Sequence, residues 1–450
     1  MSRSREAHPQ VAVQHLFFDR PESGQRAVLV HVRFTQDDEA LEILEFEDLV
    51  RAADIQQLAM LTGRRQRPDA RWFIGTGKLG ELRAALTEHA ADLVVFDHEL
   101  SPAQQRNIEK ELNCRVVTRT ELILHIFAAR ARTHEGQLQV ELAQLRHAQT
   151  RLVRGWTHLD RQKGGIGLKG VGETQIELDQ RILTDRVRAI EKRLEKVRKQ
   201  REQGRRQRQR AAVATVALVG YTNAGKSTLF NQLTAAGVLA VDRLFATLDP
   251  TLRKLPVNGH GEVVLADTVG FIRHLPHSLV EAFKATLEEV VQADLLLHVI
   301  DASAADGDER SAQVREVLRE IGADEQPLLE VYNKIDQVNE TPCVERDAHG
   351  QPIRVWLSAR SGDGVELLAD AITERLGADA VATQVWLSPV AGKTRSWLYR
   401  LGAVLQEQVA EDGRLELTVR LDPQLLARLA AEPGVLLPGS HGVHRISPSR

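Results

Sequence analysis

The sequence predicts an α/β protein of several domains, and three observations lead to that prediction. The chain has 450 residues, which is enough for about three domains of ordinary size. Apolar runs of strand length alternate with helical spacing in two separate regions. Two heptad patterns lie between these regions. We therefore expect a small N-terminal α/β domain, an antiparallel helical hairpin, a domain with a mainly parallel sheet, and a small α+β C-terminal domain.

The composition excludes several classes of protein. The chain is 42% hydrophobic and 27% charged, which is typical of a globular protein and not of a disordered one. Two cysteines, Cys114 and Cys343, cannot form a disulfide framework, which favours a reducing compartment. Neither a signal peptide nor a run of the ~20 apolar residues of a membrane span is visible. We expect a cytoplasmic monomer without a transmembrane segment.

The N-terminal domain is predicted over residues 26–132, after a loose and polar segment at residues 1–25. Apolar runs predict strands at Ala27–Phe34, Ala91–His98 and Cys114–Arg119. The spacing of apolar residues predicts helices at Glu47–Gly63, Lys78–His89 and Ser101–Asn113. No phosphate-binding loop is recognisable in this part of the sequence.

Residues 133–205 carry two apolar stripes at heptad spacing. The first comprises Leu138, Leu142, Leu145 and Leu152; the second comprises Ile176, Leu183, Val187, Ile190, Leu194 and Val197. A glycine-rich stretch, Gly164–Gly172, separates the two. Two heptad helices joined by a loop predict an antiparallel hairpin. The alternative, in which each stripe packs separately on a globular core, stays open.

The second stripe overlaps a strongly basic segment. Between Arg186 and Arg210 there are twelve Lys or Arg and three Glu, a surplus of nine positive charges in a chain of net charge -3. Such a surplus favours a polyanionic partner, with Lys163 and Lys169 beside the glycines meeting phosphates. The alternative is a solvated helix face that leads into a linker, with the glycine loop as a flexible turn.

The third region, residues 213–377, contains a phosphate-binding loop. "GYTNAGKS", Gly220–Ser227, fits G-x-x-x-x-G-K-[ST] between an apolar strand and a helix. Its glycines let backbone N–H groups surround phosphates, and the helix N-terminus adds positive potential. Lys226 can reach the β- and γ-phosphates, and the Ser227 hydroxyl can bind Mg²⁺.

Three further motifs follow at the ends of apolar strands. Asp267 can hold the Mg²⁺ shell through water, and Gly270 can offer its N–H to the γ-phosphate. Within Asn333–Asp336 a carboxylate can accept two hydrogen bonds from guanine, which adenine cannot donate. Ser358–Arg360 can meet the guanine carbonyl with a backbone N–H. Strand C-termini are where open α/β sheets bind ligands, so the motifs predict a P-loop GTPase domain with Mg²⁺ as cofactor and GTP as substrate.

These motifs resemble the G1, G3, G4 and G5 boxes of translation-factor-class GTPases, and Phe245–Arg253, "FATLDPTLR", resembles switch I of the HflX family. The resemblance implies that Thr247 joins Ser227 as a magnesium ligand and acts in hydrolysis with Lys226 and Gly270. The implied nucleotide-contacting set is Gly220, Tyr221, Thr222, Asn223, Ala224, Gly225, Lys226, Ser227, Phe245, Ala246, Thr247, Leu248, Asp249, Asp267, Thr268, Val269, Gly270, Asn333, Lys334, Ile335, Asp336, Ser358, Ala359 and Arg360. The chain departs from the family pattern at His125 and at Lys169–Gly172.

Two positions bear on how hydrolysis proceeds. Phe271 stands where many GTPases have a water-orienting glutamine, so we expect slow intrinsic turnover and a partner that completes the site. Asn223 leaves two alternatives open: it helps to bind K⁺, as in related GTPases, or it is a turn residue of the loop.

The resemblance implies a function as well as a fold. It implies a GTPase that binds the large (50S) ribosomal subunit through rRNA and dissociates stalled or idle ribosomes. The alternative is a GTP-gated ribosome-binding or assembly factor without splitting activity. Residues 380–450 are predicted to form the small C-terminal domain, for which the sequence indicates no role.

Overall fold

The computed structural model describes residues 24–34, 39–155, 171–210, 213–234, 244–257, 261–273, 287–377, 381–410, 413–421 and 423–438. Lys163, Lys169 and most of the glycine-rich stretch lie outside these residues, as does nearly all of the predicted loose N-terminus. The chain divides into two compact units. The first comprises the described parts of Met1–Gln200, Val241–Asp249 and Ile272–Thr286; the second comprises those of Arg201–Ala240, Pro250–Phe271 and Leu287–Arg450.

The first unit begins with alternating strands and helices. In chain order these are β1 (Arg26–Arg33), α1 (Glu39–Ala52), β2 (Gln56–Arg64), α2 (Thr76–His89), β3 (Leu93–Phe96), α3 (Pro102–Leu112), β4 (Arg115–Thr118) and α4 (Arg119–Arg130). The strands are all parallel and lie in the order β2-β1-β3-β4. Ser101 with Gln104, and Thr118 with Glu121, form capping boxes that start α3 and α4. Local sequence therefore determines where these two helices begin.

One predicted element of this unit is wrong. The spacing of apolar residues indicated a single helix over Glu47–Gly63, but α1 ends at Ala52 and the chain enters the strand β2 at Gln56. The helix stops because Asp54 adopts a positive φ of 56°. β2 is an outer strand that is only partly buried. Apolar and polar residues therefore do not alternate clearly along it, and the two-residue period typical of a strand is not visible in the sequence.

Two long helices complete the first unit: α5 (His134–Gly155) and α6 (Val171–Arg210), the latter extending into the second unit. They pack together through the buried aliphatic side chains of Leu138, Leu142, Leu145, Leu183, Val187 and Ile190. Arg146 pairs with Glu191 at 3.0 Å beside this seam. The two stripes therefore pack against each other, and we refer to α5 and α6 as the helix pair. The side chains of Leu152 and Ile176 lie outside the described residues.

The second unit contains a seven-stranded sheet. Its elements are β5 (Thr215–Gly220), α7 (Lys226–Thr234), β6 (Thr251–Val257), β7 (Gly261–Asp267), β8 (Leu295–Asp301), α8 (Gly307–Glu320), β9 (Leu328–Asn333), β10 (Cys343–Arg346), β11 (Pro352–Trp356) and α9 (Val365–Leu376). The order is β10-β11-β9-β8-β5-β7-β6, with antiparallel strands only at the two edges. Helices α7 and α9 pack on one face around Leu229, Phe230 and Ile372. The predicted, mainly parallel sheet is confirmed.

A smaller antiparallel sheet follows at the C-terminal end. It comprises β12 (Val381–Leu387), α10 (Gly392–Arg400), β13 (Val404–Val409), β14 (Leu415–Leu421), α11 (Pro423–Ala430) and β15 (Val435–Leu436), in the strand order β13-β14-β12-β15. Leu398, Leu417 and Leu429 lie at the centre of a separate apolar core. Among the helices described, none is both long and apolar enough to cross a bilayer.

Candidate functional site

The loop between β5 and α7 has a backbone that only particular residues can adopt. Gly220 and Gly225 have φ values of 148° and 92°. A β-carbon at Gly220 would collide with the Val299 carbonyl, and one at Gly225 would collide with the Asn333 amide. Asn223, which is exposed, has a φ of 61°, a conformation that asparagine tolerates better than most residues. The glycine spacing of the motif is thus required by the fold of the loop itself.

Lys226 lies at the start of α7 and is only 6% exposed. Its Nζ donates hydrogen bonds to the carbonyl oxygens of Gly220 at 3.0 Å and Tyr221 at 2.6 Å. Burial lowers the pKa of this lysine to about 8, although Asp267 acts in the opposite direction. The buried ammonium is therefore incompletely compensated, and an anion such as a phosphate would stabilise its charged form.

Ser227 and Asp267 supply two adjacent oxygen atoms. The Ser227 hydroxyl donates to the Asp267 carboxylate at 2.7 Å, and Asp267 is fully buried at the end of β7. Hydroxyl and carboxylate oxygens are the donors that Mg²⁺ prefers. These two residues therefore fit a magnesium ion, with Ser227 able to bind directly and Asp267 able to hold a coordinated water.

The chain just after Asp267 is tied to the phosphate-binding loop by backbone hydrogen bonds. The Thr222 N–H donates to the Phe271 carbonyl at 2.8 Å, and the Phe271 N–H donates to the Gly220 carbonyl at 3.1 Å. A β-carbon at Gly270 would crowd Thr222 and the Lys226 ammonium. The Phe271 ring is buried, at 2% exposed. The motif glycine thus lies directly against the loop, while the phenylalanine side chain belongs to the apolar core.

Asn333 braces the loops that follow three different strands. Its amide nitrogen donates to the Ala224 carbonyl at 2.9 Å, and its amide oxygen accepts from the Ala359 N–H at 2.8 Å. The Ser358 hydroxyl donates to Asp336 at 2.6 Å, which orients that carboxylate. The predicted guanine-reading motifs are therefore brought together with the phosphate-binding loop.

Lys334 has a partner that the sequence analysis missed. This lysine has a positive φ of 68°, and its Nζ pairs with Asp301 at 2.7 Å. Asp301 is the last residue of β8, so its position at a strand C-terminus was the signal that could have found it. Arg360, the last residue of the fourth motif, is exposed.

The first part of the switch I segment, Phe245–Asp249, belongs to the first unit, and Pro250–Arg253 belongs to the second. Phe245 is buried and its ring meets the ring of Phe127 edge-on, with centroids 4.7 Å apart. The Asp249 carboxylate accepts hydrogen bonds from the N–H groups of Arg132 and Thr133, each at 2.8 Å. Sequence reasoning missed these partners, since they lie more than a hundred residues earlier in the chain.

Arg273, three residues after Gly270, also has partners in the first unit. The Arg119 guanidinium donates to the Arg273 carbonyl at 3.0 Å and is paired with the buried carboxylates of Asp97 and Glu45. Burial alone would raise the pKa of Asp97, but Arg119 and His31 hold that pKa below its usual range. Arg119 is thus kept charged where it holds Arg273.

The comparisons with known proteins cover nearly the whole chain. Family models match in order: the N-terminal domain of GTP-binding GTPases at residues 40–128, their middle region at 130–208, 50S ribosome-binding GTPase at 215–334, and the HflX C-terminal domain at 343–434. The GTPase HflX of Escherichia coli is 56% identical over 405 residues, which is 90% of this chain and 95% of that protein. The chain belongs to the HflX family of GTPases. It is a GTP hydrolase with a P-loop GTPase domain, as the sequence predicted.

A second HflX protein is similar over a somewhat shorter stretch. The GTPase HflX of Magnetococcus marinus is 49% identical over 362 residues, 80% of this chain and 83% of that protein. Among solved structures, a GTP-binding protein from Sulfolobus solfataricus in complex with GDP is 26% identical, covers 79% of this chain and 99% of its own, and has a TM-score of 0.42.

Proposed function

We propose that this HflX-family GTPase binds the large ribosomal subunit and dissociates stalled or idle ribosomes, with hydrolysis of GTP to GDP and phosphate releasing it. The observation that carries the proposal is the match of residues 215–334 to the 50S ribosome-binding GTPase model. The helix pair supports it. Along α6 the apolar stripe is buried against α5, whereas Lys192, Arg193 and Lys196 are exposed. A basic helix surface of this kind favours contact with rRNA phosphates.

We propose roles for the site residues on the same basis. Lys226 neutralises charge on the β- and γ-phosphates, and the Gly270 N–H meets the γ-phosphate. Ser227 and Thr247 are the proposed direct ligands of Mg²⁺, which members of this family typically use. When bound, the ion withdraws charge from the phosphate oxygens. Asp336 reads guanine, and Ser358, through its hydrogen bond to that carboxylate, keeps it oriented.

Two finer proposals concern K⁺ and oligomeric state. Asn223 is the proposed K⁺ ligand, with a turn residue as its alternative; equal GTPase rates in K⁺ and Na⁺ buffers would remove the ion from the account. We also propose a monomer, which light scattering of the purified chain would test.

Sedimentation of intact ribosomes tests the proposed splitting activity. Incubation with the protein and GTP is expected to shift intact ribosomes to free subunits, with the protein migrating with the large subunit. Co-migration without any shift to subunits would favour the second candidate, a GTP-gated binding or assembly factor. A Lys226→Met variant serves as the matched control, since it removes the proposed phosphate contact and leaves α6 intact.

A further inference from the structure

Switch I is fixed to the first unit at two points. At its start, Phe245 is 2% exposed and packs edge-on against Phe127 in α4. Phe245 has a positive φ of 55°. A bulky residue keeps such a conformation only where its surroundings hold it there. The Phe127 contact is therefore an anchor and not an incidental packing neighbour.

The second anchor is a cluster of hydrogen bonds at Asp249. One carboxylate oxygen accepts from the N–H groups of Arg132 and Thr133, both at 2.8 Å. The other accepts from the Thr133 hydroxyl at 2.5 Å. A β-carbon at Gly136 would collide with this carboxylate, so the chain leaves space for it there. Hydrogen bonds to a carboxylate are stronger than those between neutral groups.

Thr133 also caps the first helix of the helix pair. Its hydroxyl accepts from the Gly136 N–H at 3.0 Å, and its carbonyl accepts from the Gln137 N–H at 3.0 Å. The same side chain thus holds the first turn of α5 and Asp249 of switch I. Since Leu138, one turn further along, packs into the seam with α6, a displacement of the helix pair would act on Thr133 directly.

We propose that Thr133 and Phe127 are positioning residues for GTP hydrolysis. Thr247 lies two residues after Phe245 and two residues before Asp249, so the two anchors fix the backbone on both sides of it. Through Thr133 this positioning is coupled to the first turn of α5. The inference rests on the proposed role of Thr247, and it does not depend on ribosome splitting.

The test compares Thr133→Val with Thr133→Ser in the full-length chain without ribosomes. Valine keeps the shape of threonine but loses the hydroxyl, whereas serine keeps the hydroxyl. Single-turnover GTP hydrolysis is expected to fall about tenfold in Thr133→Val, the order expected for a lost hydrogen bond to a charged group, and to recover in Thr133→Ser. Affinity for GDP is expected to stay unchanged, because GDP lacks the γ-phosphate. Thr150→Val is the matched control: its hydroxyl lies on α5, the helix that Thr133 caps, and donates to the His147 carbonyl.

Two further variants keep the outcome decisive. Gly136→Ala keeps the Thr133 hydroxyl but crowds Asp249 and, less severely, that hydroxyl, and it is expected to slow hydrolysis in the same way. Wild-type or faster turnover in both Thr133→Val and Gly136→Ala would overturn the inference. A loss of GDP affinity as large as the loss of hydrolysis rate would also overturn it. Thr247→Ala distinguishes failure of the proposed role of Thr247 from failure of the positioning inference. If Thr247→Ala hydrolyses GTP at the wild-type rate, Thr247 does not have the proposed role. If Thr247→Ala is slow while Thr133→Val is not, only the positioning inference is wrong.

Discussion

The side-chain amide of Asn333 donates a hydrogen bond to the carbonyl oxygen of Ala224, 109 residues earlier in the chain, at 2.9 Å. The same side chain accepts from the Ala359 N–H. One buried amide therefore holds the phosphate-binding loop against the loop that contains Ala359, one of those proposed to read the base. An asparagine in this motif acts on the shape of the pocket and not on the nucleotide alone.

Removal of this amide should weaken both guanine nucleotides equally. In Asn333→Ala the Ala224 carbonyl and the Ala359 N–H lose a buried partner, which costs about 1–3 kcal/mol, so affinities for GDP and GTP should fall about tenfold or more. Fluorescent-nucleotide titration measures both. Asn107→Ala, which removes an amide that donates to the Arg71 carbonyl in the first unit, is the control and should bind normally. A loss confined to GTP would contradict the bracing role.

The protein should take up a proton at Lys226 when a nucleotide binds. Burial lowers the pKa of Lys226 to about 8 without nucleotide, and phosphate charge should raise it, so just above pH 8 GDP binding should be accompanied by proton uptake. Calorimetry in two buffers with different ionisation enthalpies measures this uptake, and Lys226→Met should abolish it. Wild-type binding that showed no dependence on the buffer would contradict the lowered pKa.

The same lysine has a consequence for stability. The unfolded chain keeps the proton up to the ordinary pKa of 10.5, whereas the folded chain releases it near 8. The unfolded state thus binds more protons between these values, and the free energy of unfolding should rise with pH across that window. Lys226→Met should lack this rise when thermal melting without nucleotide is compared across it, and an identical rise in the variant would assign it to other groups.

Phe271→Gln would introduce the missing glutamine but would also alter the apolar core. The ring is 2% exposed, so glutamine would place an amide in the apolar core, at a cost of about 1–3 kcal/mol for an unpaired polar group. We expect a lower melting temperature and no gain in partner-free turnover. Phe271→Leu, which stays apolar, should melt closer to the wild type. A faster and equally stable Phe271→Gln would show that the side chain can leave the core and orient water.

The basic surface of α6 predicts how binding to large subunits depends on salt. Lys192→Gln with Lys196→Gln removes two exposed charges and should lower the slope of log affinity against log salt by roughly one to two units. Arg67→Gln with Lys393→Gln, two exposed charges outside α6, should leave the slope unchanged. Equal effects of the two pairs would mean that net charge, and not the α6 surface, governs binding.

Structural features that depend on short sequence patterns could be predicted from the sequence. The nucleotide motifs were recognisable because glycines, a lysine and carboxylates must follow apolar strands at fixed spacing. The packing of α5 against α6 between Leu138 and Ile190 could be predicted from the heptad spacing of apolar residues. β2 was missed because an outer, half-buried strand has weak alternation. The contacts of Asp249 and Arg273 were missed because each joins residues more than a hundred positions apart and involves a backbone group, the Thr133 N–H or the Arg273 carbonyl. A backbone N–H or carbonyl leaves no signature in the sequence.

We propose that a docked large ribosomal subunit completes the hydrolytic site of this GTPase. The steady-state GTPase rate of the full-length protein, with and without purified large subunits, tests this proposal. We expect slow turnover by the protein alone and at least about tenfold stimulation by large subunits, the smallest gain expected when a partner supplies or orders a catalytic group. An unchanged rate at saturating large subunits, or fast turnover by the protein alone, would contradict it.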